Sequence, residues 1–124
     1  MTTFYERVGG RDTFADLVSQ FYARVSTDPI LLPLYPEPDL RAAAQRLQMF
    51  LEQYWGGPTT YSEQRGHPRL RARHAIFHIA SRERDAWLSC MQGAINGLSI
   101  DQELKTEMWE YFQMAAHSLV NQPD

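Results

Sequence analysis

The three- and four-residue spacing of apolar side chains is the feature that most restricts the fold of this chain. Between Thr13 and Val25 the spacing recurs through Phe14, Leu17, Val18, Phe21, Tyr22 and Val25. It puts those side chains on one face of an α-helix. No segment shows the two-residue alternation that is typical of a strand. The sequence therefore predicts an all-α domain.

Three further segments have the same periodicity, from Asp39 to Tyr54, from Ser81 to about Leu98, and onward from Asp101. Together with the first segment they predict four longer helices with shorter pieces between them. Ser81 and Asp101 are residue types that cap helix starts, and Gly56-Gly57-Pro58 supplies a stop.

Shorter signals predict the connections between these helices. Gly9-Gly10 is expected to end a short N-terminal helix, and Thr13 with Asp16 resembles a capping box. The segment 59–67 has no periodicity and is interpreted as an ordered loop, followed by a short helix that starts at Pro68. The stretch that contains Tyr35 is predicted to be a tight corner, because it includes Pro33, Pro36 and Pro38.

Length and charge narrow the class of protein. The chain has 124 residues, enough for one domain spanning 1–124, and a net charge of −3, which argues against a nucleic-acid binder. Its first residues lack the basic and apolar regions of a signal peptide, and nowhere do 18 apolar residues run together, so no membrane span is predicted. We expect a cytoplasmic protein.

Motifs for hydrolytic, zinc or phosphate chemistry do not stand out. Among the four histidines only His74 and His78 have a ligand-like spacing, and the pair offers no third or fourth zinc ligand. His74 shares one face of the predicted short helix with Leu70 and Phe77. Taken alone, a histidine on such an apolar face is more typical of the core than of a ligand site. Four arginines lie near His74 in the sequence, namely Arg65, Arg69, Arg71 and Arg73. They form either a solvated face or an anion-binding site beside His74, and both interpretations stay open.

Two long segments carry a specific resemblance. The sequences RLQMFLEQYWGGP at 46–58 and YSEQRGHPRLRARH at 61–74 resemble the truncated haemoglobins, and specifically their group II branch. Shorter matches, in the same order along the chain as in the family, extend the resemblance over nearly all of the sequence. They include Phe21-Tyr22, Tyr35-Pro36-Glu37, the segment 83–88 and the segment 114–121. The resemblance implies a two-over-two helical sandwich that holds haem b, in which helices at about 11–27 and 39–54 cross helices at about 82–98 and 101–120.

Position by position, the resemblance also implies a set of site residues. His74 corresponds to the proximal ligand of the iron, and Tyr22, Tyr35 and Trp87 would surround the gas bound on the other side. Ala43 falls where many globins have a distal histidine. The resemblance implies that Leu47 and Phe50 line the distal face and that Phe77 packs on the proximal side. Its candidates for holding the haem propionates are Arg46, Tyr54, Arg65 and Arg73.

One position departs from the family pattern, because this chain has Ile76 where many members have proline. This departure concerns the local backbone after His74 and not the ligand itself. The neighbours of His74 are arginines rather than carboxylates. We expect its second ring nitrogen to donate to a backbone carbonyl, which keeps the imidazole neutral and weakens the case for a dedicated peroxidase.

The donors around the gas lead to an expectation about function. A hydrogen bond to a charge-bearing acceptor is worth about 1.5–3 kcal/mol, so two donors would slow the release of dioxygen greatly. The sequence thus favours an oxygen-avid protein that binds dioxygen and other diatomic ligands and reacts with nitric oxide or peroxide, as in nitric oxide dioxygenase-like or peroxidase-like activity, rather than a bulk oxygen carrier.

Two other functions stay open at this point. One is an oxygen sensor or store without turnover, and the other is a haem-free helical interaction module. Turnover would need a reductase partner, since the sequence shows no flavin or nicotinamide site. A homodimer is plausible for a compact helical domain, although no exposed apolar patch can be identified from the sequence.

Overall fold

In the computed structural model, residues 2–36 and 39–124 are described. Over these ranges the chain forms α-helices and one short 3₁₀ turn, and no strand. The helices are α1 Phe4–Arg7, α2 Arg11–Val25, α3 Arg41–Tyr54, α4 Thr60–Arg65, α5 Leu70–His74, α6 Ser81–Asn96 and α7 Gln102–Ser118, and the 3₁₀ turn is Leu32–Leu34.

The four longer helices form two packed pairs. Helix α2 packs against α3 and against α6, and α6 packs against α7. The predicted two-over-two arrangement is therefore confirmed, and the periodic residues supply its core. Completely buried side chains come from all four helices, among them Phe14, Leu51, Met91 and Met108. Their burial stabilises the pairing through the hydrophobic effect.

Two predicted helix starts are corrected by the structure. Helix α2 begins at Arg11, with Gly10 at its N-cap and a φ of +68° that favours glycine. Thr13 lies inside the first turn and its hydroxyl donates to the Val8 carbonyl at 2.6 Å, so the expected capping box was wrong. Helix α6 does begin at Ser81, but its N-cap is Ala80, whose N–H donates to the Glu83 carboxylate at 2.9 Å.

The connections between the pairs differ from prediction in one place. The segment 59–67 was expected to be a loop, yet Thr60–Arg65 is helical. Its attachment to α3 explains why: the Gln53 side chain donates to the Ser62 hydroxyl at 2.7 Å and accepts from the Ser62 N–H at 2.9 Å. Helix α5 begins at Leu70, two residues after Pro68. At the predicted corner, Pro33 lies in the 3₁₀ turn and Pro38 lies outside the described residues.

One charged side chain is buried in the core region. Glu52 on α3 is 8% exposed, and its Oε1 has no hydrogen-bond partner among the residues described. Burial raises the pKa of this carboxyl, while Gln48 and Arg11 act in the opposite direction.

Across residues 2–36 and 39–124, no helix combines the length and apolar character that crossing a bilayer requires.

Candidate functional site

A cavity of about 510 Å³ is enclosed by side chains from both helix pairs and from the connections between them. Its volume lies within the range of small-molecule and cofactor sites, roughly 300–1,000 Å³. Most of the lining is apolar or aromatic, including Leu31, Leu34, Leu47, Phe50, Leu51, Leu70, Phe77, Ile79, Phe112, Ala115 and Leu119. The polar groups in the wall are few and fall into separate sets.

His74 forms one of these sets, at the end of helix α5. Its Nδ1 lies 2.6 Å from the carbonyl oxygen of Leu70, one turn earlier. Because a carbonyl oxygen can only accept, Nδ1 must carry the proton and donate. A neutral ring then has an unprotonated Nε2 with a free lone pair, which is the form that binds a metal. The sequence prediction of a backbone partner for the second ring nitrogen is confirmed.

Tyr22, Tyr35 and Trp87 form a second set in the wall of the same cavity. The Tyr22 ring meets Tyr35 edge-on, with centroids 5.8 Å apart. Trp87 is held between two phenylalanines, at 5.1 Å from Phe21 and 5.6 Å from Phe112. These contacts fix the rings in place, so their hydroxyl and indole groups act as positioned hydrogen-bond donors.

The two phenols of this set stay protonated. Burial raises the pKa of Tyr22 well above its usual range, and the neighbouring Tyr35 raises it further. Burial likewise raises the pKa of Tyr35. The guanidinium of Arg46 acts in the opposite direction on both, without overcoming burial. Both hydroxyls are therefore donors at neutral pH.

Guanidinium groups form the third set. Arg73 donates from Nε to the Pro68 carbonyl at 2.8 Å and from Nη2 to the Arg65 carbonyl at 2.9 Å. The guanidiniums of Arg65 and Arg73 both lie about 6 Å from the Tyr61 ring centre, at 6.0 and 5.9 Å. A guanidinium has five N–H donors, so Arg73 keeps donors free for an anion after these two bonds.

The structure brings all but one of the predicted site residues to this cavity. His74, Tyr22, Tyr35, Trp87, Arg46, Leu47, Phe50, Arg65, Arg73 and Phe77 are all in its wall. Tyr54 is not: its ring packs on Tyr111 with centroids 4.2 Å apart, and it is 50% exposed. The structure therefore does not support Tyr54 as a propionate partner.

Several lining residues were not anticipated from the sequence. Tyr61 and Arg84 line the cavity, as does Tyr111, whose pKa burial raises to about 12. A signal existed for Tyr61, because Thr60 followed three residues later by Glu63 fits the pattern of a helix start. For Tyr111 and Arg84 no local pattern distinguishes a cavity residue from an ordinary helix residue.

Comparisons with known proteins agree with this geometry. Residues 3–121 match the bacterial-like globin family. The chain is 40% identical to the group 2 truncated haemoglobin YjbI of Bacillus subtilis over 120 residues. This match covers 97% of this chain and 89% of the relative. The chain belongs to the group II truncated haemoglobins.

Solved structures of other truncated haemoglobins and related haemoglobins are closely similar. A thermostable haemoglobin from Thermobifida fusca superposes with a TM-score of 0.97 at 52% identity, over 99% of this chain and 100% of that one. An oxygen-avid truncated haemoglobin from Bacillus subtilis gives a TM-score of 0.91 at 39% identity, over 97% and 100% of the two chains.

Haem b is the cofactor of this truncated haemoglobin, and the residues present fit it. The cavity offers an imidazole whose Nδ1 is bonded to a backbone carbonyl and whose Nε2 is left for the iron, apolar walls for the porphyrin, and guanidiniums for its carboxylates. Imidazole is a common axial ligand in haem proteins, and arginine matches carboxylate geometry.

Proposed function

We propose that this truncated haemoglobin binds dioxygen with high avidity and uses it in redox chemistry with nitric oxide or peroxide. The observation that carries the proposal is the joint presence, in one cavity, of His74 with an available Nε2 and three protic aromatic side chains. An apolar cavity alone would admit a gas without holding it.

His74 would hold the haem iron through Nε2 in this proposal, because its hydrogen bond to Leu70 occupies Nδ1 and orients the ring. Haem b held by one neutral imidazole supplies a ferrous iron with a free coordination position for a diatomic ligand. Phe77 lies against the imidazole, with ring centres 6.5 Å apart, and limits its rotation.

Donors from among Tyr22, Tyr35 and Trp87 hold the ligand through hydrogen bonds, and the hydroxyls of Tyr22 and Tyr35 are also hydrogen-bonded to each other. Dioxygen gains partial negative charge when it binds, so each donor strengthens binding more than a neutral hydrogen bond would. Trp87 is in the wall of the cavity between Phe21 and Phe112, and these contacts hold its indole N–H where a ligand in the cavity can accept from it.

Arg65 and Arg73 bind the cofactor's carboxylates in the proposal, and Arg46 is a further candidate. Arg65 and Arg73 share the Tyr61 ring and are linked through a backbone carbonyl, so they act as one unit. Arg46 instead lies close enough to Tyr22 and Tyr35 to affect the pKa of both. Its charge is placed to influence the ligand as well as the porphyrin.

Slow release favours reaction over delivery. Nitric oxide and dioxygen give nitrate when one electron is added, NO + O₂ + e⁻ → NO₃⁻, and the bound haem would supply that electron. Turnover then needs a partner of the reductase class to restore the ferrous state. A homodimer and a cytoplasmic location stay predictions, to be tested by light scattering and by cell fractionation.

Absorption spectra of the ferric, ferrous and oxygenated forms test the proposal. We expect a stable oxygenated spectrum in the native protein and its loss in His74→Ala, with partial recovery when free imidazole is added. Mixing the oxygenated protein with nitric oxide should yield one nitrate per haem before dioxygen escapes. Absence of nitrate would refute the reaction with nitric oxide, and absence of a reaction with added peroxide as well would refute the redox function and favour an oxygen store or sensor. A protein with no Soret band after haem addition would refute haem binding altogether.

A further inference from the structure

The segment that follows His74 has no helix or strand of its own. Helix α5 spans only five residues, and residues 75–80 then continue as turns and extended chain. Isolated helices shorter than about 12 residues are marginal in water, so α5 cannot hold His74 in place by itself. Its neighbours Ala75 and Ile76 are exposed, the latter to 84%, and contribute little packing.

Asn121, just beyond helix α7, is bonded to this segment at several points. Its Nδ2 donates to the His74 carbonyl at 3.2 Å and to the Phe77 carbonyl at 2.9 Å. Its Oδ1 accepts from the Ile79 N–H at 3.0 Å. The Asn121 backbone N–H adds a bond to the Ile79 carbonyl at 2.8 Å.

The chemistry of an amide matches this set of partners. Asparagine has two N–H donors and one carbonyl acceptor, and here both donors face carbonyls while the acceptor faces an N–H. Aspartate has nearly the same shape but no donor when ionised, so it would place negative charge against two carbonyl oxygens. Alanine would leave both carbonyls and the Ile79 N–H without their side-chain partner.

We propose that Asn121 is a positioning residue for the axial histidine: its amide fixes the backbone at residues 74–79 and thereby the orientation of the His74 imidazole. It acts through His74 and does not contact the cavity. The inference rests on the proposed function, because it takes His74 as the iron ligand. Groups that orient a metal ligand without binding the metal themselves typically lower metal affinity 10- to 100-fold when they are removed.

A second tie, made by the same terminal segment to a different part of the chain, provides a matched control. The Asp124 carboxylate accepts from the Ser81 N–H at 3.0 Å and from the Ser81 hydroxyl. It joins the segment after α7 to the start of α6 without touching residues 74–79. Asp124→Ala therefore removes an anchor of this terminal segment and leaves the proposed positioning contacts intact.

The test compares Asn121→Ala, Asn121→Asp and Asp124→Ala in the haem-loaded protein. The first measurement is the iron–histidine stretching band of the ferrous form, recorded by resonance Raman spectroscopy. The second is the rate of haem transfer to an excess of an apoglobin acceptor. The third is hydrogen exchange at the Ile79 amide. Circular dichroism confirms that each variant is folded.

We expect both Asn121 variants to shift or broaden the iron–histidine band and to lose haem about tenfold faster or more, with Asp124→Ala close to native. Exchange at the Ile79 amide should accelerate in Asn121→Ala and stay slow in Asn121→Asp, which keeps the acceptor. Asn121→Asp is expected to perturb the band although Ile79 remains protected, because only the two donors are lost.

Two results would overturn the inference while leaving the proposed function intact. One is a native band and native haem loss in both Asn121 variants. The other is an equal change in Asp124→Ala, which would show that general anchoring of the terminal segment matters rather than the Asn121 amide. Retention of the band in His74→Ala would instead refute the assignment of the ligand, and with it both proposals.

Discussion

Removing the hydrogen-bond donors of the cavity one at a time should accelerate dioxygen release in steps. Trp87→Phe keeps a ring between Phe21 and Phe112, whose centroids lie 5.1 and 5.6 Å from Trp87, and deletes the indole N–H. Tyr35→Phe keeps the edge contact with Tyr22 and deletes one hydroxyl. Both changes therefore remove a donor with little loss of packing.

The size of each step follows from the strength of a hydrogen bond to a charge-bearing acceptor. Such a bond contributes about 1.5–3 kcal/mol, and about 1.4 kcal/mol corresponds to a factor of ten in rate. Each substitution should then raise the dissociation rate about ten- to hundredfold. The double variant should be faster by about two to four orders of magnitude, provided that the two donors act independently.

Stopped-flow mixing of the oxygenated protein with an oxygen scavenger measures the rate directly. Tyr54→Phe is the matched control, because it deletes a tyrosine hydroxyl on the same protein but outside the cavity. Its rate should equal that of the native protein. Unchanged rates in both Trp87→Phe and Tyr35→Phe would refute the argument that these donors hold the ligand.

Three further predictions concern stability, each measured by urea unfolding of the haem-loaded protein. Phe14→Ala, at a completely buried position, should lower the free energy of unfolding by about 3–5 kcal/mol. Gly56→Ala should cost more than Gly66→Ala: both glycines have a positive φ, +91° and +75°, but only at Gly56 would a Cβ meet Thr3, at 2.9 Å. Burial raises the pKa of Glu52, so the folded state binds its proton more tightly and the contribution of this carboxyl to native stability falls as pH rises above its unfolded pKa. Glu52→Gln should therefore gain stability relative to the native protein across that rise, and equal stability differences at pH 4 and pH 7 would contradict this.

The long helices could be predicted because burial of one face imposes a period on the sequence. The positions of the breaks were also readable from glycine and proline. Helix α4 was missed because its stability comes from the hydrogen bonds between Gln53 and Ser62, which join two elements and leave no periodic trace. Contacts of this kind depend on the finished fold.

The functional site, like the fold, could be predicted from the sequence only in part. No spacing rule places His74 and Trp87 in one cavity, and the resemblance to a family supplied that information. Tyr54 lies against Tyr111 at the end of α3 and outside the cavity wall, so its predicted contact with a propionate stays a prediction. Asn121 ends the segment 114–121 that carries part of the resemblance, but its role could not be predicted because its partners lie more than 40 positions earlier in the chain.

The raised pKa values of Tyr22 and Tyr35 have a physiological consequence. A distal histidine would change its charge near neutrality, and the ligand bond that it donates would respond to the acidity of the cell. The resemblance assigns Ala43 to that position, and in the proposed function the donors include phenols whose pKa values burial raises. The protonation of these donors, and with it the residence time of the gas, should therefore stay constant between mildly acidic and mildly alkaline solution.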